Sequence, residues 1–343
     1  MNLLSHNNVW QAQNLPDGFI FKDGVIYGNP SVSGVYDVPV TVSNSLGIST
    51  KNIRIIAKSR NGVTIMQNGS VLETTTFAEL QASIQDGTAQ SKYNCTNTQM
   101  LIDVKHPITG ATIVDVPLNF CSFRTITLED GTTKTGLILQ FSKTLWKGLA
   151  PFSTNSFNRW KYSQLRKWLN ASGENWFMSS YTADTLTPHE GSYTDAAAIG
   201  FLSCLPSALV DVLVPVKVIT QAFFDDYNED TAIDDPEYVD GLDADITYDK
   251  IFIPSLSEMA ISAGNNENYP EDNFEGTAWE YYSALNSGIG IAQDLDGSNC
   301  SIITRSAVID GTTQVICVDS NLQPFVSTPY NANASPSPAF VIA

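Results

Sequence analysis

Turn-forming residues recur through the first sixty positions at a spacing that leaves room only for short strands. They are Asn14-Leu15-Pro16-Asp17-Gly18, Asp23-Gly24, Gly28-Asn29-Pro30, Ser33-Gly34 and Asn44-Ser45-Leu46-Gly47. Glycine supplies positive φ and proline fixes φ near −65°, so the chain is cut into hairpin-sized pieces. Between the turns, Val38, Val40 and Val42 alternate with Pro39 and Thr41, and Ile53 and Ile55 continue the alternation. A period of two is that of a half-buried strand. This part of the chain therefore reads as antiparallel β structure.

The chain has 343 residues, more than one core usually serves, so two domains are expected. Apolar residues make up 43% and charged residues 16%, which is a folded composition. The net charge of −18 repels phosphate backbones and anionic membrane surfaces, so neither nucleic acid nor a membrane is an expected partner. Cys95, Cys121, Cys204, Cys300 and Cys317 show no CxxC spacing, and buried thiols are expected in place of disulfides or a zinc site. The first residues carry no basic, apolar secretory pattern, and no run approaches the length of a membrane helix.

After Ile56 the pattern changes. Arg60-Asn61-Gly62 and Gln67-Asn68-Gly69-Ser70 are turn signals, read as a linker hairpin over residues 58–74. Thr76 followed by Glu79 is a capping box, so a helix should start there, with Phe77, Leu80 and Ile84 on one face and Gly87 closing it. Residues 100–141 read as a β meander turning at Glu129-Asp130-Gly131. A second helix is expected over 160–169, with Trp160, Leu165, Trp168 and Leu169 as its apolar face, and a third over 195–202. Residues 225–249 read as a long acidic loop, and short strands return near 301, 315 and 339.

Two resemblances rest on these residues. Residues 9–57, with Leu15-Pro16-Asp17-Gly18, Gly24-Val25-Ile26-Tyr27-Gly28-Asn29-Pro30 and Gly34-Val35-Tyr36, resemble the putative-immunoglobulin repeats of bacterial surface and phage proteins. Residues 75–343 resemble a domain of unknown function from gut Firmicutes and their phages with a C-type-lectin-like fold. The motifs are Ser163-Gln164-Leu165-Arg166-Lys167-Trp168-Leu169-Asn170, Asp249-Lys250-Ile251-Phe252-Ile253-Pro254-Ser255, Arg305-Ser306 and Pro338-Ala339-Phe340-Val341-Ile342, with Gly276-Thr277-Ala278-Trp279 beside them. The fold class these imply is mainly β with α+β character: an Ig-like sandwich over 1–57, the linker hairpin over 58–74 and a C-type-lectin-like domain over 75–343.

Chemistry is sparse in the text. His6, His106 and His189 are scattered, outside any metal or nucleophile motif. Cys300 and Cys317 fall in the region where oxygen-dependent enzymes on a related fold carry a cysteine pair, but the spacing differs. No nucleophile, base and orienter emerge as a set, so the chain is not expected to be an enzyme. Asp294 and Asp296, in Asp294-Leu295-Asp296-Gly297, read either as the start of a calcium loop or as a polar turn, and position 305 offers Arg in place of the closing Glu. No other cofactor is expected. Trp279, Tyr281 and Tyr282 are candidates to stack on sugar faces. Asn321, Tyr330 and Asn331 lie in a segment rich in Asn, Ser and Tyr, the composition of adaptable contact loops.

The resemblances imply a phage virion protein on a tail fibre, baseplate or head fibre, assembled in the host cytoplasm and carried on the extracellular particle. Its implied partners are other virion proteins, a host cell-surface glycan or protein, and further copies of itself, a trimer included. The alternative is a structural decoration protein of capsid or tail that binds no receptor.

Overall fold

The computed structural model describes residues 8–22, 24–28, 34–57, 62–145, 158–173, 199–221, 244–262, 269–285, 293–295, 297, 299–308, 314–328 and 334–343. The chain is mainly β. Its first strands are β1 (Val9–Ala12), β2 (Phe19–Lys22), β3 (Val25–Gly28), β4 (Gly34–Asn44) and β5 (Gly47–Ala57). Strands β1, β4 and β5 form an antiparallel sheet in that order, and β2 and β3 form a separate ribbon. The ribbon sits against Trp10, because a Cβ on Gly24 (φ +80°) would lie 3.5 Å from the indole. Val38 and Val40 are buried, as the alternation requires.

A seven-stranded sheet dominates the rest. It uses β6 (Gly62–Gln67), β7 (Ser70–Thr76), β8 (Thr98–Lys105), β9 (Thr112–Thr127), β10 (Thr133–Phe141), β13 (Ile251–Phe252) and β18 (Ala339–Ile342), in the order β13-β18-β10-β9-β8-β6-β7. The hairpin read as a linker is thus no linker. Strand β6 pairs with β8, and Val63 and Ile65 enter the main core. Its turn is as read: Asn68 and Gly69 both take positive φ, the requirement of a two-residue hairpin whose twist matches its strands.

Helix α1 (Phe77–Gln85) begins at the expected box. The Thr76 Oγ1 accepts from the Glu79 N–H at 3.2 Å, and the Glu79 carboxylate accepts from the Thr76 N–H at 2.8 Å. Phe77, Leu80 and Ile84 are its buried face, Gly87 follows with φ +83°, and the short helix α2 (Thr88–Lys92) comes next. The meander matches its reading, with β9 running unbroken from Thr112 to Thr127 before the turn at Glu129-Asp130-Gly131.

The helix expected over 160–169 is broken in two. A 3-10 turn (Trp160–Tyr162) precedes helix α3 (Gln164–Leu169), because the Ser163 Oγ accepts from the Arg166 N–H and starts the helix afresh. Of the helix expected over 195–202, the described part is a 3-10 turn, Phe201–Cys204, leading to helix α4 (Ser207–Val210). The stretch expected as an acidic loop to residue 249 ends in a strand. Its last residues form β12 (Ala244–Asp249), paired with β11 (Val216–Gln221), while residues 222–243 lie outside the described residues.

Helix α5 (Glu280–Ala284) precedes a final sheet of β14 (Ser301–Ala307), β15 (Val315–Val318), β16 (Pro324–Ser327) and β17 (Ala334–Pro336). Their order is β16-β15-β14-β17, with β14 and β17 parallel. One apolar cluster runs from Val63 to Ala343 and joins both large sheets. Among the described residues, no helix is long and apolar enough to cross a membrane.

Candidate functional site

The motifs singled out in the sequence meet in the interior. Along β12, Asp245, Thr247 and Asp249 share one face by the period of two, and all are buried. Asp245 accepts from Arg159 Nε at 2.8 Å and from its Nη2 at 2.5 Å. Asp249 accepts from the Trp160 indole at 2.9 Å, the Arg166 Nε at 2.7 Å and the Thr247 hydroxyl at 2.6 Å. Asn170 closes α3 against β13, accepting from the Lys250 and Ile251 N–H groups and donating to the Ile251 carbonyl. Strand β13 in turn pairs with β18, so the helix motif and the terminal strand are parts of one module.

A second cluster surrounds Arg305, which is 1% exposed. Its Nη1 donates to Glu258 Oε2 at 2.5 Å and to the Ile253 carbonyl at 2.8 Å. Its Nη2 donates to the Glu275 carbonyl at 2.7 Å, and its Nε to the Ile219 carbonyl at 3.3 Å. The Ser306 hydroxyl donates to the Glu275 carboxyl and accepts from the Leu256 N–H at 3.0 Å. Glu275 Oε1 accepts from the Gln221 N–H at 2.9 Å, and Ser255 N–H donates to Glu258 at 3.1 Å. One carboxylate, that of Glu258, pairs with the guanidinium, while the Glu275 carboxyl is held by Ser306 and the Gln221 N–H. Burial pushes the Glu275 carboxyl up, against the opposing pull of Arg305. A small slot of about 200 Å³ lies over this cluster, walled by Ile126, Val216, Val218 and Phe252. With its guanidinium engaged by four acceptors, Arg305 braces three segments and has little left for a ligand.

The sequence-based candidates fall elsewhere. Trp279 is fully buried, against Phe252 and Tyr282, and offers no stacking face. Tyr282 is buried too and donates to Gln140 at 2.8 Å. Both are corrections: the aromatic residues at the cap and in the first turns of α5 fill the core because their area is worth more there than in water. Tyr281 is half-buried against the same core. Asp294 is buried, and its Oδ1 accepts from the Leu295 N–H at 2.9 Å. Asp296, Tyr330 and Asn331 lie outside the described residues, as do His6, His189 and the acidic run from Asp225 to Asp235. Among the described residues, no cluster of three or more His, Cys, Asp or Glu could hold a metal ion.

Asn321 is exposed, at the tip of the β15–β16 hairpin. Its turn is strutted from within: Asp319 Oδ1 accepts from the Asn321 and Gln323 N–H groups at 2.8 and 2.9 Å, and Leu322 is held at φ +60°. Asn321 and Gln323 therefore stand exposed on a braced frame. Sequence reading found the segment but missed Asp319, whose signal was an Asp two residues before an Asn. It also missed Glu275, which no periodicity marks.

The thiols are withdrawn. All five cysteines are free and buried. Burial pushes Cys95, Cys204 and Cys317 up to about 12 and raises Cys121 as well. His106 serves its own turn: Nδ1 accepts from the Ile108 and Thr109 N–H groups at 3.2 and 3.3 Å. Burial holds its pKa down.

Residues 149–343, more than half the chain, match the model of a family described as a domain of unknown function, DUF6273. The chain belongs to this family. The match takes in the α3 motif, the Asp249–Glu258 segment, Arg305-Ser306 and the terminal strand, so the DUF6273 region holds both buried polar clusters. No curated protein and no solved structure matches the chain.

Proposed function

We propose that the chain is a non-enzymatic adhesion protein of a phage virion, with an Ig-like spacer at residues 1–57 and a C-type-lectin-like head beyond it. The head acts through rim contacts on a host-surface glycan or protein, and many copies on one particle multiply weak single-site binding. The observation that carries this reading is a division of labour among polar residues. The motif residues Arg166, Asn170, Asp249 and Arg305, with Glu258, spend their hydrogen bonds on one another and on buried backbone. Asn321 and Gln323 instead point outward from a braced turn. Such an arrangement suits recognition by preorganised loops, which lose little freedom on binding.

The test uses purified full-length protein and cells of gut Firmicutes. Saturable binding, reduced several-fold by the double substitution Asn321→Ala and Gln323→Ala, and blocking of phage infection by soluble protein are expected. Absence of cell binding together with binding to phage particles overturns the adhesion reading in favour of a decoration protein.

A further inference from the structure

The N-terminal unit is poorly covered. Of the thirteen large apolar side chains exposed among the described residues, nine fall within residues 8–57, including Trp10, Leu46, Ile48, Ile53 and Ile56. Within the same span, Val38 and Val40 are the buried aliphatic side chains besides Pro16, and neither valine joins the main core. Strand β5 is an edge strand of eleven residues; among the described residues, no strand pairs with its outer side. An open edge of that length is a template for another strand.

The direction of its free groups follows from Pro39. The Pro39 carbonyl accepts from the Gln13 N–H at 3.0 Å, so its polar side faces β1. Pro39 stands opposite Asn52, which makes Pro39 and Asn52 a non-hydrogen-bonded pair of the β4–β5 ladder. Asn52 therefore points its N–H and C=O away from β4, toward the open edge. The register runs without a shift from Gly34–Ala57 to Asn44–Gly47, so Ile48, Thr50, Arg54 and Ile56 point the same way.

We propose that β5 pairs antiparallel with β5 of a second copy of this chain, about a two-fold axis at Asn52. In that register every outward residue meets an outward residue. Asn52 exchanges both backbone bonds with the partner's Asn52, Thr50 lies opposite the partner's Arg54, and Ile48 lies opposite the partner's Ile56. The exposed isoleucines cover each other twice, which is the cross-strand unit that stabilises sheets. No like charges stand directly opposite: Arg54 keeps its ion pair with Asp37 at 3.0 Å across β4. Lys51 lies opposite the partner's Ile53, covering it with its stem while the ammonium stays in water. An axis at Lys51 or at Arg54 would set like charges face to face, and moving the axis along the strand shortens the ladder. The product is one continuous six-stranded sheet with an isologous interface.

The experiment is sedimentation equilibrium of the full-length protein, with two variants. The native chain forms a dimer at micromolar concentrations. Asn52→Pro removes an outward N–H without touching the β4 ladder and weakens the dimer about tenfold or more, while circular dichroism and thermal unfolding report whether it folds. Asn52→Cys tests the register itself, since facing residues of a hydrogen-bonded pair sit about 5.5 Å apart at Cα, within disulfide reach. Under mild oxidation it cross-links to a covalent dimer much faster than Ser49→Cys, whose side chain faces the partner's Ile55. A monomer at every concentration, or equal cross-linking of the two cysteine variants, overturns the proposal.

Discussion

Asn170 clamps Ile251 by both of its backbone polar groups: its Oδ1 accepts from the Ile251 N–H at 3.0 Å and its Nδ2 donates to the Ile251 carbonyl at 2.8 Å. The same Oδ1 accepts from the Lys250 N–H at 2.9 Å. One amide thus secures the end of α3 to a strand that pairs with the terminal strand β18. Replacing Asn170 by Ala leaves these backbone groups short of partners and should cost about 2–4 kcal/mol. Asn170→Asp keeps the acceptor and loses the donor, so the expected loss is smaller at a pH where the lone added charge is tolerated. Urea unfolding midpoints at constant m check both values.

Glu275 makes stability depend on pH. Burial raises its carboxyl above the ordinary value of 4.5, so the protonated form favours the folded state. That contribution is present in full below the unfolded value and is lost as pH rises through the folded one. Glu275→Gln removes the titration and keeps an acceptor for Gln221. The variant should therefore gain on the native protein as pH rises from the ordinary carboxyl value through the raised folded one. Denaturation midpoints of the two proteins across that range measure the gap; a constant gap would contradict the burial argument.

Arg305 tests the weight of the inner cluster. Arg305→Met leaves Glu258 and three backbone carbonyls without their donor, a loss expected at about 3–5 kcal/mol. Arg305→Lys keeps the charge but not the fork and recovers only part of this. Thermal unfolding of both variants gives the order native, Lys, Met.

Close packing at Gly136 sets a steric limit. A Cβ there would lie 2.6 Å from Val341 Cγ1 and 3.2 Å from Ile126 Cδ1. Gly136→Ala should cost about 1–3 kcal/mol by overpacking, and Gly136→Ala combined with Val341→Ala should recover part of the loss. A double-mutant cycle reads the coupling.

The thiols should be silent in the folded protein. All five are buried, and burial disfavours the reactive thiolate. A thiol-specific chromogenic reagent at mildly alkaline pH is expected to report five groups after denaturation and none promptly before it. Prompt labelling of one cysteine in the native state would show that its cover opens.

Short-range chemistry settled the hairpins and the capped helix. Asn68-Gly69 demanded a tight turn, and Thr76 with Glu79 had to satisfy free N–H groups at a helix start; these preferences act within a few residues and need no distant partner. Alternation likewise placed Val38 and Val40 inward. Long-range packing settled the rest. Ser163 restarts a helix that its apolar face alone would continue, and β12 emerges from an acidic stretch because β11 lies alongside it. Trp279 went to the core and not to a ligand, since an aromatic side chain looks the same in either place until its neighbours arrive. Arg305 shows the reason most directly. Its acceptors stand 86, 52, 47 and 30 residues away along the chain, and only folding brings enough of them together to hold a charge away from water.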